Sequence, residues 1–196
     1  MQKGWLFIFL LGTSLVGLPC ANTIAQTPNN SSLGRLIIIG GGEISDSFRA
    51  EILQRGHWQK GSRIAVVTLA SNWDSSFISI NEAFRKLTNE DCIPIDSVTI
   101  HNPAYLDSLR RARFIYLGGG DQVLFMNRIV GTPVKKILQE AYQRGATIAG
   151  TSAGASVMSR LMVTGTSPRD SVSSTALKGI WHDAVDYATG LALLDS

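Results

Sequence analysis

The sequence predicts an α/β fold, a mostly parallel sheet with helices on both faces. Three observations carry this. Short apolar runs such as Leu36-Ile37-Ile38-Ile39 alternate with stretches whose apolar residues recur at steps of three and four. Strands buried on both faces between amphipathic helices have this pattern. Three of the runs end in glycine turns, after Ile39, Leu117 and Ala149. Right-handed crossovers then bring the strand C-termini to one edge, where open α/β sheets bind ligands.

The elements follow in order. Residues 26–32 (Gln-Thr-Pro-Asn-Asn-Ser-Ser) are polar and read as a lead-in to a domain over 34–196. The run 36–39 is the first strand, ended by Gly40-Gly41-Gly42. Residues 45–54 carry Phe48, Ile52 and Leu53 at helical spacing, with Ser45 or Asp46 as cap. Residues 63–69 form the second strand, and Phe77, Ile80, Phe84 and Leu87 mark the next helix. A third short strand lies within 92–100, a short helical turn over 107–112, and a fourth strand over 113–117. Residues 122–129 read as a short helix. Pro133 can begin another, with Val134, Ile137, Leu138 and Ala141 inward. Residues 146–149 are the fifth strand, and 155–158 start a helix. Beyond Met158 the pattern weakens to a loop over 162–174 with a short hairpin.

Composition narrows the function classes. With 196 residues, 44% hydrophobic and 17% charged, the chain is neither disordered nor fibrous and can bury one core. A net charge of +3 without a basic run gives no argument for a nucleic-acid partner. The two cysteines, Cys20 and Cys92, form no metal-ligand cluster.

The N-terminus has the make-up of an export signal. Lys3 supplies the positive end, residues 5–18 are almost wholly apolar, and Thr23 and Ala25 are small residues two apart, so cleavage is expected after Ala25. A lipidated Cys20 fits less well, because Pro19 stands where a small residue is wanted; an uncleaved membrane anchor is the alternative. Cleavage would leave a secreted or periplasmic domain without a stable membrane span, and Cys92 as its only thiol. The oligomeric state is open.

Two turns carry chemistry. Gly150-Thr151-Ser152-Ala153-Gly154 lies between an apolar strand and a helix, the context in which G-x-S-x-G lifts a serine above a sheet edge. The next backbone N–H would be free to meet an oxyanion. A glycine turn with Ser152 as filler or N-cap is equally compatible. In Gly118-Gly119-Gly120-Asp121-Gln122, successive N–H groups can form an anion nest and Gln122 can hold an amide or carboxylate. Asp121 as a helix cap is the alternative. Gly40-Gly41-Gly42-Glu43 is weaker: Glu43 either caps the next helix or lines the cleft. A serine nucleophile also needs a base. His57, His101 and His182, the last beside Asp183 and near Asp186, are available, and no spacing fixes a role.

Together these segments resemble the cyanophycinase family. The stretch 115–122, with Gly-Gly-Asp-Gln at its end, resembles the family's strand end. The stretch 150–159 is similar to its nucleophile elbow, and Gly190-Leu191-Ala192-Leu193-Leu194 to its Gly-Leu-x-Leu-Leu strand. The resemblance covers residues 36–194. It implies a flavodoxin-like fold akin to the class I glutamine amidotransferase domain, and a serine peptidase cutting aspartyl or β-aspartyl peptides with no metal or organic cofactor. Carried over by position, Ser152 is the nucleophile, Gly120 and Ala153 the oxyanion-hole donors, and Gln122 a substrate contact. The family's triad histidine, its substrate-binding arginines and its triad acid follow the Gly-Leu-x-Leu-Leu strand, whereas this sequence stops at Ser196. His182 precedes that strand and does not match. The expectation is therefore a C-terminally truncated peptidase of low activity, with no base or acid assigned. The alternatives are a non-catalytic module binding an anionic peptide or small molecule at the sheet edge, and a glutaminase. The glutaminase is disfavoured, because that class carries cysteine where Ser152 stands.

Overall fold

The computed structural model describes residues 33–72, 75–165 and 185–194. The chain divides into two compact units, Met1–Asn30 and Ser31–Ser196. The first, with the expected export signal, lies outside the described residues, and so do His182 and Asp183.

The second unit is built on a five-stranded, wholly parallel sheet. Its strands are β1 (Arg35–Ile39), β2 (Ala65–Val67), β3 (Ile93–Ile95), β4 (Phe114–Leu117) and β5 (Thr147–Thr151), in the spatial order β1-β5-β4-β2-β3. Strands β2 to β5 take among themselves the 2-1-3-4 order of a flavodoxin-like sheet, and β1 fills the fifth place beside β5. The register pairs Ile37 with Ala149 and Tyr116 with Ala149, so β5 is hydrogen-bonded on both sides. That explains its run of apolar residues with no polar alternation.

The pleat sends alternate side chains to two cores. One face gathers Ala65, Val67, Ile115, Leu117 and Ile148, covered by α3 (Pro103–Arg111), α4 (Gln122–Ile129) and α5 (Val134–Gln143). The other gathers Val66, Phe114, Tyr116 and Ala149 under α1 (Asp46–Arg55) and α2 (Ser75–Thr88). On that side Phe84 meets Tyr116 edge-on, with centroids 5.1 Å apart.

Most helix ends fall where local chemistry puts them. Ser45 caps α1 by accepting from Phe48 N–H, and Asp121 caps α4 by accepting from Val123 and Leu124 N–H. The four inward residues expected of α5 are all buried. Helix α3 is longer than expected from 107–112. Asn102 caps it and Pro103 occupies its first turn, an N-terminal signature that the weak apolar spacing concealed.

Beyond the elbow the structure departs further from expectation. Helix α6 (Ala153–Ser156) is a single turn. The hairpin strand β6 (Leu161–Val163) pairs antiparallel with β7 (Tyr187–Thr189), and the loop expected over 162–174 lies outside the described residues from 166 onward. Residues 190–194 are not a strand. Leu191 and Leu193 N–H groups instead donate to the Val157 and Met158 carbonyls at 2.7 and 2.8 Å, Ala192 turns to φ 57°, and both leucines are buried. Closing the end of α6 buries these apolar residues without a strand partner.

Candidate active site

The topology assembles the site. Because β5 lies between β1 and β4, the turns after Ile39, Ala149 and Leu117 leave adjacent strands. Beyond β1 the chain runs to α1 on one face, and beyond β5 to α6 on the other. Connections parting to opposite faces leave a crevice at the strand C-termini.

Ser152 stands in that crevice, exposed, with φ 51° and ψ −116°. A residue with a Cβ rarely adopts such a conformation, which costs about 1–3 kcal/mol and persists where the surroundings enforce it. Here they do. Ser152 N–H donates to Ile39 O at 2.9 Å, extending the β1–β5 ladder, while its carbonyl accepts from Ala155 and Ser156 N–H at 2.9 and 3.0 Å and opens α6. Both flanking peptides are committed, so the sharp turn falls on Ser152 itself.

The elbow glycines serve close approach. Neither Gly150 nor Gly154 is among the glycines with positive φ. A Cβ on Gly150 would lie 2.4 Å from Gly154 O, and one on Gly154 would lie 2.3 Å from Leu117 O. Helix α6 is thereby seated against the end of β4.

Two other glycines, from the turns after β1 and β4, wall the serine. A Cβ on Gly41 would lie 3.3 Å from Ser152 Cβ and 3.7 Å from Oγ; one on Gly119 would lie 3.5 Å from Ser152 Cβ. Gly120 (φ 135°) is pressed against Ala70, where a Cβ would come within 2.1 Å of the carbonyl oxygen that accepts from Asp121 N–H at 2.8 Å. The N–H groups of Gly120 and Ala153 find no acceptor among the described residues. Gln122 is partly occupied: its Nε2 donates to Val163 O on β6 at 2.8 Å. Its Oε1 meets no donor among the described residues. Thr151 Oγ1, one residue before the serine, is buried without a partner there. Glu43 is exposed and leaves the α1 cap to Ser45.

The described histidines are elsewhere. His57 lines a cavity with Arg35, Arg113 and Thr147, at the strand N-termini. The length of β5, about 16 Å, separates it from Ser152. His101 follows β3, three ladders from β5 and so about 14 Å across the sheet. Neither reaches Oγ. Asp186 offers its backbone carbonyl to Thr164 N–H at 2.9 Å. Burial pushes the Cys92 thiol up to about 12, with the Arg63 charge opposing, so it stays protonated and unreactive near neutrality. Among the described residues no group of three or more His, Cys, Asp or Glu could hold a metal.

Comparison with known proteins bears on the family and the fold. A cyanophycinase of Trichormus variabilis is 35% identical over 88 residues, 44% of this chain and 27% of that protein. A cyanophycinase of Geminocystis herdmanii is 25% identical over 167 residues, 81% of this chain and 58% of that one. The chain thus spans between about a quarter and three-fifths of these curated relatives. The crystal structure of a peptidase from an acI-B1 Actinobacterium superposes with a TM-score of 0.59 at 18% identity, over 84% of this chain and 66% of the other. The family model for Peptidase family S51 matches residues 36–186, most of the chain, and the chain belongs to that family.

Proposed function

We propose that the protein is a serine-type peptidase that hydrolyses aspartyl or β-aspartyl peptides through an acyl-enzyme on Ser152. The strained Ser152 backbone, held at the crevice between Gly41 and Gly119, carries the reading. In the reaction Oγ bonds to the scissile carbonyl carbon, and Ala153 and Gly120 N–H groups stabilise the oxyanion. The C–N bond then breaks, the amine leaves with the serine proton, and water hydrolyses the ester. Gln122 Oε1 is placed to accept from a substrate N–H. The base that carries the proton comes from outside the described residues. The aspartyl preference rests on the likeness to cyanophycinases.

A fluorophosphonate probe tests the chemistry. The 196-residue chain is expected to give an adduct at Ser152, seen by mass spectrometry, and, with no base near Oγ among the described residues, to release dipeptides from a β-aspartyl substrate only slowly. Saturable binding of an aspartyl peptide with no adduct would instead establish the non-catalytic module. That reading draws on the absence of a base near Oγ among the described residues.

We further propose export, on the strength of the 1–25 segment. N-terminal sequencing of the exported protein is expected to begin at Gln26, and an intact Met1 would refute cleavage.

A further inference from the structure

The opposite edge of the sheet, where the strands begin, is basic. Arg110, Arg111, Arg113 and Arg144 line a cavity of about 610 Å³ between the C-terminal ends of α3 and α5. Arg113 also lines the neighbouring cavity of about 190 Å³ that holds Arg35. The two cavities therefore follow one another across the starts of β1, β5 and β4. Local carboxylates neutralise only part of this charge. Arg110 and Arg111 share Asp107, and Arg144 faces Glu140 at 3.8 Å while its Nη2 donates to Arg110 O. Five guanidinium groups meet two carboxylates, an excess of three positive charges.

Helix dipoles explain part of the pattern. Cations in the last turn of α3 and just past α5 complement the exposed carbonyls there. Arg35 and Arg113 cap no helix, because each precedes or opens a strand, and neither guanidinium has a hydrogen-bond or ion-pair partner among the described residues. Two unpaired arginines beside a half-neutralised cluster form a surface for a ligand bearing several carboxylates, which guanidinium forks hold in paired hydrogen bonds.

We propose that this edge docks an extended acidic segment of a polypeptide, at a site separate from the Ser152 crevice and independent of its chemistry. The shape favours a peptide over a bilayer, because the charges line a recess. It also disfavours nucleic acid, because the larger cavity holds no aromatic ring on which a base could stack, and in the smaller one Phe114 is buried and Trp58 is half-buried with its Nε1 donating to Ser62 O. Arg35 opens β1 and Arg113 immediately precedes β4, two ladders and about 10 Å apart, so about three residues of an extended tract bridge them.

The test is fluorescence anisotropy of a labelled ten-residue poly-aspartate peptide with the full chain at low salt. Saturable binding is expected, weakening as salt rises. The double variant Arg110→Glu with Arg113→Glu is expected to lose at least tenfold in affinity, with Arg113→Lys falling between it and the wild type. Peptide held at the Ser152 crevice would survive these substitutions, because the arginines lie at the strand starts and Ser152 follows the end of β5, so the loss in the arginine variants separates this site from the catalytic proposal. Thermal unfolding monitors the fold, and the milder Arg110→Gln with Arg113→Gln pair takes over should the double glutamate variant unfold. No binding by the wild type, or equal binding by a folded arginine variant, would overturn the proposal. So would displacement of the peptide by phosphatidylglycerol-containing vesicles or a ten-nucleotide RNA at lower concentration than unlabelled poly-aspartate.

Discussion

Replacing Ser152 by glycine is expected to raise stability and abolish turnover together. Glycine adopts φ 51°, ψ −116° without the strain that a Cβ brings, while losing more chain entropy on folding. The strain is about 1–3 kcal/mol and the entropy cost about 0.5–1 kcal/mol, so the net gain is about 1 kcal/mol. Ser152→Ala keeps the Cβ and the strain and is expected to stay within about 0.5 kcal/mol of the wild type. Both variants lose the nucleophile, and with it probe labelling at position 152 and whatever peptide hydrolysis runs through Ser152. Urea unfolding beside a dipeptide-release assay checks each half. A glycine variant less stable than the alanine one would show that Ser152 is not strained, and would remove the main support for the catalytic reading.

Gly154→Val is expected to disable the elbow by a different route. Its Cβ would fall 2.3 Å from Leu117 O and 2.8 Å from Gly118 O. Both are backbone atoms at the end of a central strand, so no side chain can swing away. Overpacking a fixed site costs about 1–3 kcal/mol, more where backbone must move, and the added γ-carbons put this variant at the upper end. The shift of α6 also displaces Ala153 N–H from the crevice. Gly40→Ala is the control, with nothing within 4 Å of its Cβ, and it is expected to be neutral within about 0.5 kcal/mol. Unfolding midpoints of the two variants, with probe labelling at Ser152, test the contrast. Wild-type stability in Gly154→Val would mean that α6 does not pack against β4 as described.

Much of the sheet was legible because buried parallel strands carry their identity locally. Phe114 to Leu117 is a continuous buried run ended by glycine. Leu36 to Ile39, which the same pattern marks as buried on both faces, instead forms the sheet edge: only Ile39 is buried and Ile38 is 56% exposed, because no strand or helix among the described residues covers that side. Helix α5 was equally clear from Val134, Ile137, Leu138 and Ala141. The hairpin was not, because β6 and β7 are three residues each and pair across more than twenty positions, which leaves no periodic signal in either. Residues 190–194 misled for a related reason. An apolar run shows that a segment is buried and leaves open whether a ladder or a helix end takes it in.

By itself, the sequence determined that Ser152 sits on a strand-to-helix turn flanked by glycine, since glycine, small and apolar residues at fixed offsets are local facts. Only the tertiary structure decided what those glycines are for and which groups share the crevice. Placing β5 between β1 and β4 brings Gly41 and Gly119 against Ser152, and leaves His57 at the far edge and His101 three ladders away. Strand order is set by how the two faces of the sheet bury their apolar area, a non-local balance that no single segment of the chain records.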